Sequence, residues 1–202
     1  MSTPQPPADR APMSEEALQT VTIGGLQPLT APIRIVDYDP EWPSLFEREA
    51  ARITALLGDR VVALEHAGST SVPGLAAKPI IDIVLVVADS ADEAVYVPAL
   101  DAAGYTLRIR EPDWFEHRLL KGPDTDINLH VFSAGCPEIT RMLCFRDHLR
   151  TNDADRQLYE QTKRDLAARD WKYTQNYADA KTAVVEQIIA RVGSASSSQG
   201  PI

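Results

Sequence analysis

Apolar residues recur along the first half of the chain in two different periods. In "EWPSLFEREAARITALLGDR" they return every three or four positions, which predicts a helix with Pro43 in its first turn and Gly58 at its end. "VVALEHAG" and "PIIDIVLVV" are short runs rich in β-branched residues and bounded by glycine or proline, which is typical of strands buried on both faces. "SADEAVYVPALDAAG" returns to the helical period. The pattern predicts helices packed on a sheet.

The pattern changes again in the second half of the chain. "YTLRIR", "FEHRLLKG" and "DINLHVF" are three further predicted strands, and the turn residues Gly122, Pro123 and Asp124 predict a hairpin between the last two. From Cys136 onward the helical period continues through three segments as far as Val192. We therefore expect an α/β (α+β) fold with a mixed sheet, followed by C-terminal helices.

Both ends of the chain lack this periodicity. Residues 1–30 are rich in proline, serine and alanine and offer little apolar surface to offset the entropy of ordering, so we expect a disordered leader. Residues 194–202 are predicted to be a flexible tail. The folded domain is expected over 31–193, with its sheet part ending at about 133 and its helical part beginning at about 136.

Composition narrows the class of protein. The chain has 202 residues, 44% apolar and 24% charged, which favours one globular domain. A formal net charge of −9 argues against nucleic acid or an anionic membrane as a partner. No run approaches the ~20 apolar residues that cross a bilayer, and the N-terminus has no signal-peptide core, so we expect a cytoplasmic protein. Cys136 and Cys144 fit neither a disulfide within one helix nor a zinc motif.

The loop between the first two predicted strands reads Gly68, Ser69, Thr70, Ser71. Backbone N–H groups and short hydroxyls beside a glycine can encircle a phosphate. The spacing is neither that of the Walker loop nor that of the dinucleotide GxGxxG fingerprint. By itself, such a stretch is more often a simple turn than a phosphate site.

Asp82 interrupts the apolar strand that follows this loop. Burying an unpartnered carboxylate is strongly unfavourable, so Asp82 must face something polar. A divalent cation is one such partner, and an arginine or a backbone group is the alternative. The glycine-serine turn and the strand aspartate together favour a phosphate-and-metal site.

These residues resemble the GrpB family (UPF0157-like), a branch of the nucleotidyltransferase superfamily. The resemblance rests on "HAGSTSVPGLAAKPIIDI", "NLHVF" and "FRDHLR" and covers about Pro32 to Val192. Ala67, Gly68 and Ser69 match the superfamily's first motif, and Asp82 begins its second. The resemblance implies a polymerase-beta-like nucleotidyltransferase palm.

The sequence departs from that superfamily at two of the three expected metal ligands. Val84 stands where a second carboxylate is usual, and His130 stands where a third is usual. Asp82 and His130 are therefore the expected catalytic and metal-binding residues, with Mg²⁺ or Mn²⁺ as the expected cofactor and Zn²⁺ as an alternative. His66 is either a further metal ligand or a histidine that holds the loop by a hydrogen bond.

Basic and aromatic side chains are expected to hold the phosphates. Arg146 and Arg150 share one face of a helix, and the guanidinium group matches phosphate oxygens well. The alternative is that they lie on a solvated helix surface and pair with nearby aspartates. The family resemblance adds further phosphate- or nucleotide-binding positions: Lys78, Arg118, Lys163, Tyr177 and Lys181.

Two functions are consistent with these residues. The first is a nucleotidyltransferase-fold protein that binds a nucleoside triphosphate and a divalent cation and transfers a nucleoside monophosphate to an unidentified acceptor. The second is a catalytically degenerate module that binds a nucleotide or another phosphometabolite, with a link to coenzyme A metabolism suggested by family association alone. Val84 favours the second.

Overall fold

A five-stranded mixed sheet lies at the centre of the structure, a computed structural model that describes residues 12–197. Its strands are β1 (Ala63–Ala67), β2 (Ile81–Val87), β3 (Thr106–Glu111), β4 (His117–Lys121) and β5 (Ile127–Ser133). They lie in the order β1-β2-β5-β4-β3, and only the central β2–β5 pair is parallel. The predicted mixed sheet and the predicted β4–β5 hairpin are confirmed.

Helices surround this sheet within the described residues. They are α1 (Glu15–Val21), α2 (Trp42–Leu57), α3 (Glu93–Ala102), α4 (Pro137–Thr151), α5 (Asp153–Ala167), α6 (Thr174–Ala180) and α7 (Thr182–Ser197). The last predicted helical segment is thus two helices, which separate at Lys181. None of the helices in the described range is both long and apolar enough to cross a membrane.

One face of the sheet is packed against α2 and α3. Alternate residues of β2 point to this face, and Ile81, Ile83, Leu85 and Val87 are all buried there. Trp42 and other apolar side chains of α2 complete the cluster. Burial of this apolar surface is the main stabilising contribution to the fold.

The opposite face is only partly apolar. Val84, Val86 and Phe132 form a smaller cluster on which the first turns of α4 pack. A further cluster joins α4, α5 and α7 to the loop that follows β1. The helical C-terminal part therefore covers one portion of this face and leaves the remainder open.

The expected disordered leader is wrong for the segment around α1. Ser14 caps this helix, and Leu18 is buried. Ile23 N–H donates to the Arg108 carbonyl (2.8 Å), and Leu29 N–H donates to the Lys172 carbonyl (2.9 Å). These tertiary contacts order a segment whose own periodicity is too weak to predict a helix.

The predicted ends of the domain agree with the structure only in part. Helix α7 continues to Ser197, beyond the predicted start of the flexible tail at 194. Residues 1–11 and 198–202, the remaining parts of the predicted leader and tail, lie outside the described residues.

Candidate functional site

The turn after β1 and the aspartate on β2 are in direct contact. Gly68 has φ +66°, and a β-carbon added to it would lie 2.2 Å from Asp82 Oδ2. Only glycine therefore permits both this backbone conformation and the close approach of the carboxylate. Ala67 lies opposite Asp82 in the register of β1 and β2, and a 3₁₀ turn over Ser69–Ser71 follows Gly68. The two halves of the sequence motif form one site.

Asp82 is held by two side chains of β5. Asn128 Nδ2 donates to Asp82 Oδ1 (2.7 Å), and His130 Nε2 lies 3.7 Å from the same oxygen. Burial acts to raise the pKa of Asp82, but His130, Asn128 and the more distant Lys181 outweigh it and hold this pKa below its ordinary value. The carboxylate is ionised at neutral pH and available to a cation.

The residues beside Asp82 fit only a metal that is shared with a ligand. Val84 is fully buried in an apolar cluster, so no second carboxylate is available from β2. Among the described residues, no group of three or more His, Cys, Asp or Glu side chains is arranged to hold a metal ion. Asp82 and His130 would supply two donors, and phosphate oxygens would have to supply others.

His66 is not part of this donor set. It pairs with Ile83 in the register of β1 and β2, so its side chain lies on the sheet face opposite to Asp82. There it stacks on Phe46, and its Nε2 lies 3.1 Å from Thr70 Oγ1. Desolvation lowers the pKa of His66 to about 4. The prediction of a metal ligand is wrong, and the alternative, a histidine that holds the loop, agrees with the structure.

Three predicted lysines line the pocket above Asp82: Lys78, Lys163 and Lys181. None of the three forms an ion pair with a carboxylate within residues 12–197. Burial and the neighbouring Lys181 lower the pKa of Lys163 to about 7, although its Nζ donates to the Ala76 carbonyl. Lysines that have no partner carboxylate among the described residues suit a polyanion, which would favour their charged forms.

The two predicted phosphate-binding arginines hold the loop instead. Arg150 donates from Nε and Nη2 to the Ser71 carbonyl (3.1 and 2.9 Å). Arg146 donates to the His66 carbonyl (3.0 Å) and pairs with Glu65 and Asp147. Neither lines the pocket above Asp82. In the structure both arginines support the loop backbone, and their predicted contact with phosphate stays a prediction.

Arg118 lies on the wrong face of the sheet for the predicted role. Its neighbour Leu119 pairs with His130, so Arg118 itself points toward α3. There it is buried, and its Nε donates to Glu93 Oε1 (2.5 Å). The alternation of side chains along β4, together with its register against β5, places Arg118 outside the site.

A pocket of about 800 Å³ extends over the open part of this sheet face. Its floor crosses β2, β5, β4 and β3, which is three strand spacings or roughly 14 Å. The Ser69–Thr70 turn, α5 and α6 form its walls near Asp82, whereas Ser71 is turned back so that its hydroxyl donates to the Gly68 carbonyl (2.6 Å). At the β3 end, α1 and the residues after it close the pocket with Leu18, Thr22, Leu26 and Gln27.

Tyr177 presents a buried hydroxyl at the pocket wall. This side chain is almost fully buried, and its hydroxyl has no hydrogen-bond partner among the described residues. Lys181 Nζ lies 4.8 Å from the centre of the Tyr177 ring. An unsatisfied buried hydroxyl is unfavourable unless a bound molecule supplies its partner. A water molecule or a ligand bound in this pocket would supply that partner.

The sequence interpretation missed several residues of the site. Asn128 lies beside Asp82, and Lys121 Nζ donates to Asn128 Oδ1 (3.0 Å), which orients the amide. His117 lies next to His130 (Nε2 to Nδ1, 3.1 Å). The alternation of Asn128 and His130 along one strand was a usable signal. The contribution of α1 carried no such signal.

Comparison with known proteins identifies the family. The family model for GrpB protein matches residues 32–191, and the chain belongs to this family. It is 60% identical over 184 residues to UPF0157 protein BH1888 of Halalkalibacterium halodurans, which covers 91% of this chain and 94% of that protein. It is 47% identical over 173 residues to UPF0157 protein SCO7215 of Streptomyces coelicolor (86% and 90% covered).

Two further comparisons bear on the fold and on a relative with a different name. The crystal structure of conserved protein GrpB from Enterococcus faecalis superposes with a TM-score of 0.71 at 31% identity, over 81% of this chain and 99% of that one. A protein named dephospho-CoA kinase from Mycolicibacterium paratuberculosis is 31% identical over 165 residues, which is 69% of this chain and 40% of that protein. The α/β fold and the predicted family are thus confirmed.

Proposed function

We propose that this protein binds a nucleoside triphosphate together with a divalent cation and transfers the nucleoside monophosphate to an acceptor. One observation carries the proposal: in the part of the chain that the structure describes, Asp82, the Ser69–Thr70 turn and three lysines without partner carboxylates line a single pocket. The motif that resembles nucleotidyltransferases lies at the β2 end of that pocket.

Each part of the pocket has a distinct role in this proposal. Ser69 and Thr70 bind the terminal phosphates, and Lys78, Lys163 and Lys181 neutralise their charge. Asp82 and His130 hold the cation, which polarises the phosphoryl oxygens when bound. The roughly 14 Å floor, ending at the apolar side chains near α1, accommodates the nucleoside.

Calorimetric titration with each of the four ribonucleoside triphosphates, in Mg²⁺ or Mn²⁺, tests the binding step. We expect saturable binding to the native chain and at least tenfold weaker binding to Asp82→Asn. Asp101→Asn, an exposed carboxylate of α3 on the other side of the sheet, is the matched control and should bind as the native chain does. Equal affinity of Asp82→Asn and the native chain would remove Asp82 from the site.

A second candidate is binding without transfer. The buried Val84 supports it, because the usual second carboxylate is replaced by an apolar cluster that contains Ala67 and Phe132. Measurement of pyrophosphate release in Mg²⁺, Mn²⁺ and Zn²⁺ separates the two candidates. Nucleotide binding with no pyrophosphate release in any metal would favour the binding module.

The ligand of such a module need not be a triphosphate. Similarity to a protein named dephospho-CoA kinase supports including dephospho-coenzyme A in the same titration. It shares phosphate groups and an adenine ring with ATP, so the lysines and Tyr177 would meet similar chemistry. Tighter binding of dephospho-coenzyme A than of any triphosphate would link the module to coenzyme A metabolism.

A further inference from the structure

Four side chains form a continuous row across the sheet, ending at Asp82. Glu111 Oε2 lies 2.7 Å from His117 Nδ1, His117 Nε2 lies 3.1 Å from His130 Nδ1, and His130 Nε2 lies 3.7 Å from Asp82 Oδ1. The row crosses β3, β4, β5 and β2 in their spatial order. Glu111 and His117 do not line the pocket, so their connection to it runs through His130.

With Glu111 ionised and both imidazoles neutral, hydrogen-bond chemistry sets the direction of each contact in this row. An ionised carboxylate only accepts, so His117 Nδ1 carries the proton that Glu111 receives. A neutral imidazole has one N–H group, which leaves a lone pair on His117 Nε2. His130 Nδ1 must then be the donor in the second contact, and His130 Nε2 keeps its own lone pair.

The last gap agrees with this arrangement. The distance of 3.7 Å from His130 Nε2 to Asp82 Oδ1 is longer than a normal hydrogen bond, as expected for a neutral His130 with no proton on Nε2. Asp82 Oδ1 also accepts a hydrogen bond from Asn128. The lone pairs of His130 Nε2 and Asp82 Oδ1 then face each other across the gap. Such a pair of donors is suited to a cation.

Packing holds the two imidazoles in place. Their rings stack with centroids 5.2 Å apart, and His117 also stacks on Phe132 (4.8 Å) and meets Trp114 edge to face (5.2 Å). His117 and Glu111 are both almost fully buried. The orientation of His130 is therefore set from inside the protein.

We propose that Glu111 and His117 are positioning residues that hold His130 in the tautomer with its Nε2 lone pair directed at Asp82. The cation-binding use of that lone pair rests on the proposed function, whereas the tautomer itself does not. Buried partners that orient a metal-binding histidine commonly change metal affinity 10- to 100-fold when removed.

Nitrogen NMR of the full chain labelled with ¹⁵N-histidine tests the tautomer without any ligand. At neutral pH we expect His117 and His130 each to be protonated at Nδ1 and unprotonated at Nε2. A protonated Nε2 on His130 in the native chain would overturn the proposal.

A variant experiment separates positioning from packing. His117→Phe keeps a ring for stacking but removes both nitrogens, so we expect a changed His130 tautomer and a 10- to 100-fold loss of affinity for Mn²⁺ in complex with ATP, measured by electron paramagnetic resonance. The matched control is His148→Phe, because His148 Nε2 lies 2.7 Å from Asp155 Oδ2, away from the pocket. An unchanged tautomer in folded His117→Phe contradicts the proposal.

The two proposals fail in different ways. If the native chain binds no Mn²⁺ and no nucleotide, the proposed function is wrong, and the NMR result still decides the tautomer. If Mn²⁺ binds equally to the native chain and to His117→Phe, the proposed function survives and the positioning role does not.

Discussion

The two faces of the central sheet share the same five strands but differ in what stabilises them. The face toward α2 and α3 is a closed apolar core, and its polar groups are paired, as in the contact of Arg118 with Glu93. Within the described residues, the face toward the pocket carries Asp82, Asn128 and His130, together with three lysines that form no ion pair with a carboxylate and one hydroxyl that has no hydrogen-bond partner. The comparison teaches that the first face maintains the fold and the second is arranged for a ligand.

Adjacent leucines of β4 provide the largest test of this difference. Leu120 is fully buried on the packed face, whereas Leu119 lines the pocket and is half-buried. We expect Leu120→Ala to lower the free energy of unfolding by about 2–5 kcal/mol and Leu119→Ala by about 1 kcal/mol or less, measured by urea denaturation. Similar losses for both variants would break the comparison.

Two glycines with positive φ test how tightly the pocket face is built around Asp82. Gly68→Ala adds steric conflict with Asp82 to backbone strain, so we expect a loss of about 2–4 kcal/mol and loss of nucleotide binding. Gly74→Ala, at φ +76° with nothing within 4 Å of the added carbon, should lose only about 1–2 kcal/mol and keep binding. Denaturation and calorimetry of both variants check this, and equal behaviour would show that the contact with Asp82 is unimportant.

The buried Lys163 on the pocket side predicts that the free energy of unfolding depends on pH. Its pKa falls from 10.5 to about 7 on folding because burial disfavours the charged form. Between these values the unfolded state binds the extra proton, so stability rises with pH, by up to about 1.4 kcal/mol per unit. We expect Lys163→Met to remove this rise, as measured by denaturation at pH 7, 8 and 9. Parallel curves for the two proteins would show that Lys163 keeps its ordinary pKa.

Two buried tyrosines, one on each face, give the smallest but most diagnostic effect. Tyr177→Phe removes an unsatisfied hydroxyl, so we expect up to about 1 kcal/mol of added stability and about 3- to 10-fold weaker nucleotide binding. Tyr96 instead donates to the Ser90 carbonyl (2.7 Å), and Tyr96→Phe should lose about 1 kcal/mol without changing affinity. Denaturation and calorimetry measure both, and a loss of stability in Tyr177→Phe would mean that its hydroxyl has a partner within the protein.

Much of the fold follows from the sequence because its signals are local. The periods of the apolar residues predict α2, all five strands and the helical C-terminal part, and the Gly122–Asp124 turn predicts the β4–β5 hairpin. The closeness of Gly68 and Asp82 could also be predicted from the sequence. Gly68 follows β1, Asp82 lies on β2, and the two strands are joined by one short loop.

Which residues form the site was harder to predict from the sequence. Arg118, Arg146 and Arg150 have the right chemistry for phosphate, yet each has a nearer acceptor in the folded chain. Asn128, which contacts Asp82, and Lys121, which contacts Asn128, were missed. Residue type alone does not tell which of many cations is free to meet a ligand.

The sequence by itself determined the family, the secondary structure of most of the domain, and the phosphate-loop motif with its strand aspartate. Only the tertiary structure decided which side chains share the pocket, because strand register and helix packing set the direction of every side chain. It also decided that α1 closes the pocket, since the contacts that order this short helix come from β3 and from the residues before α6.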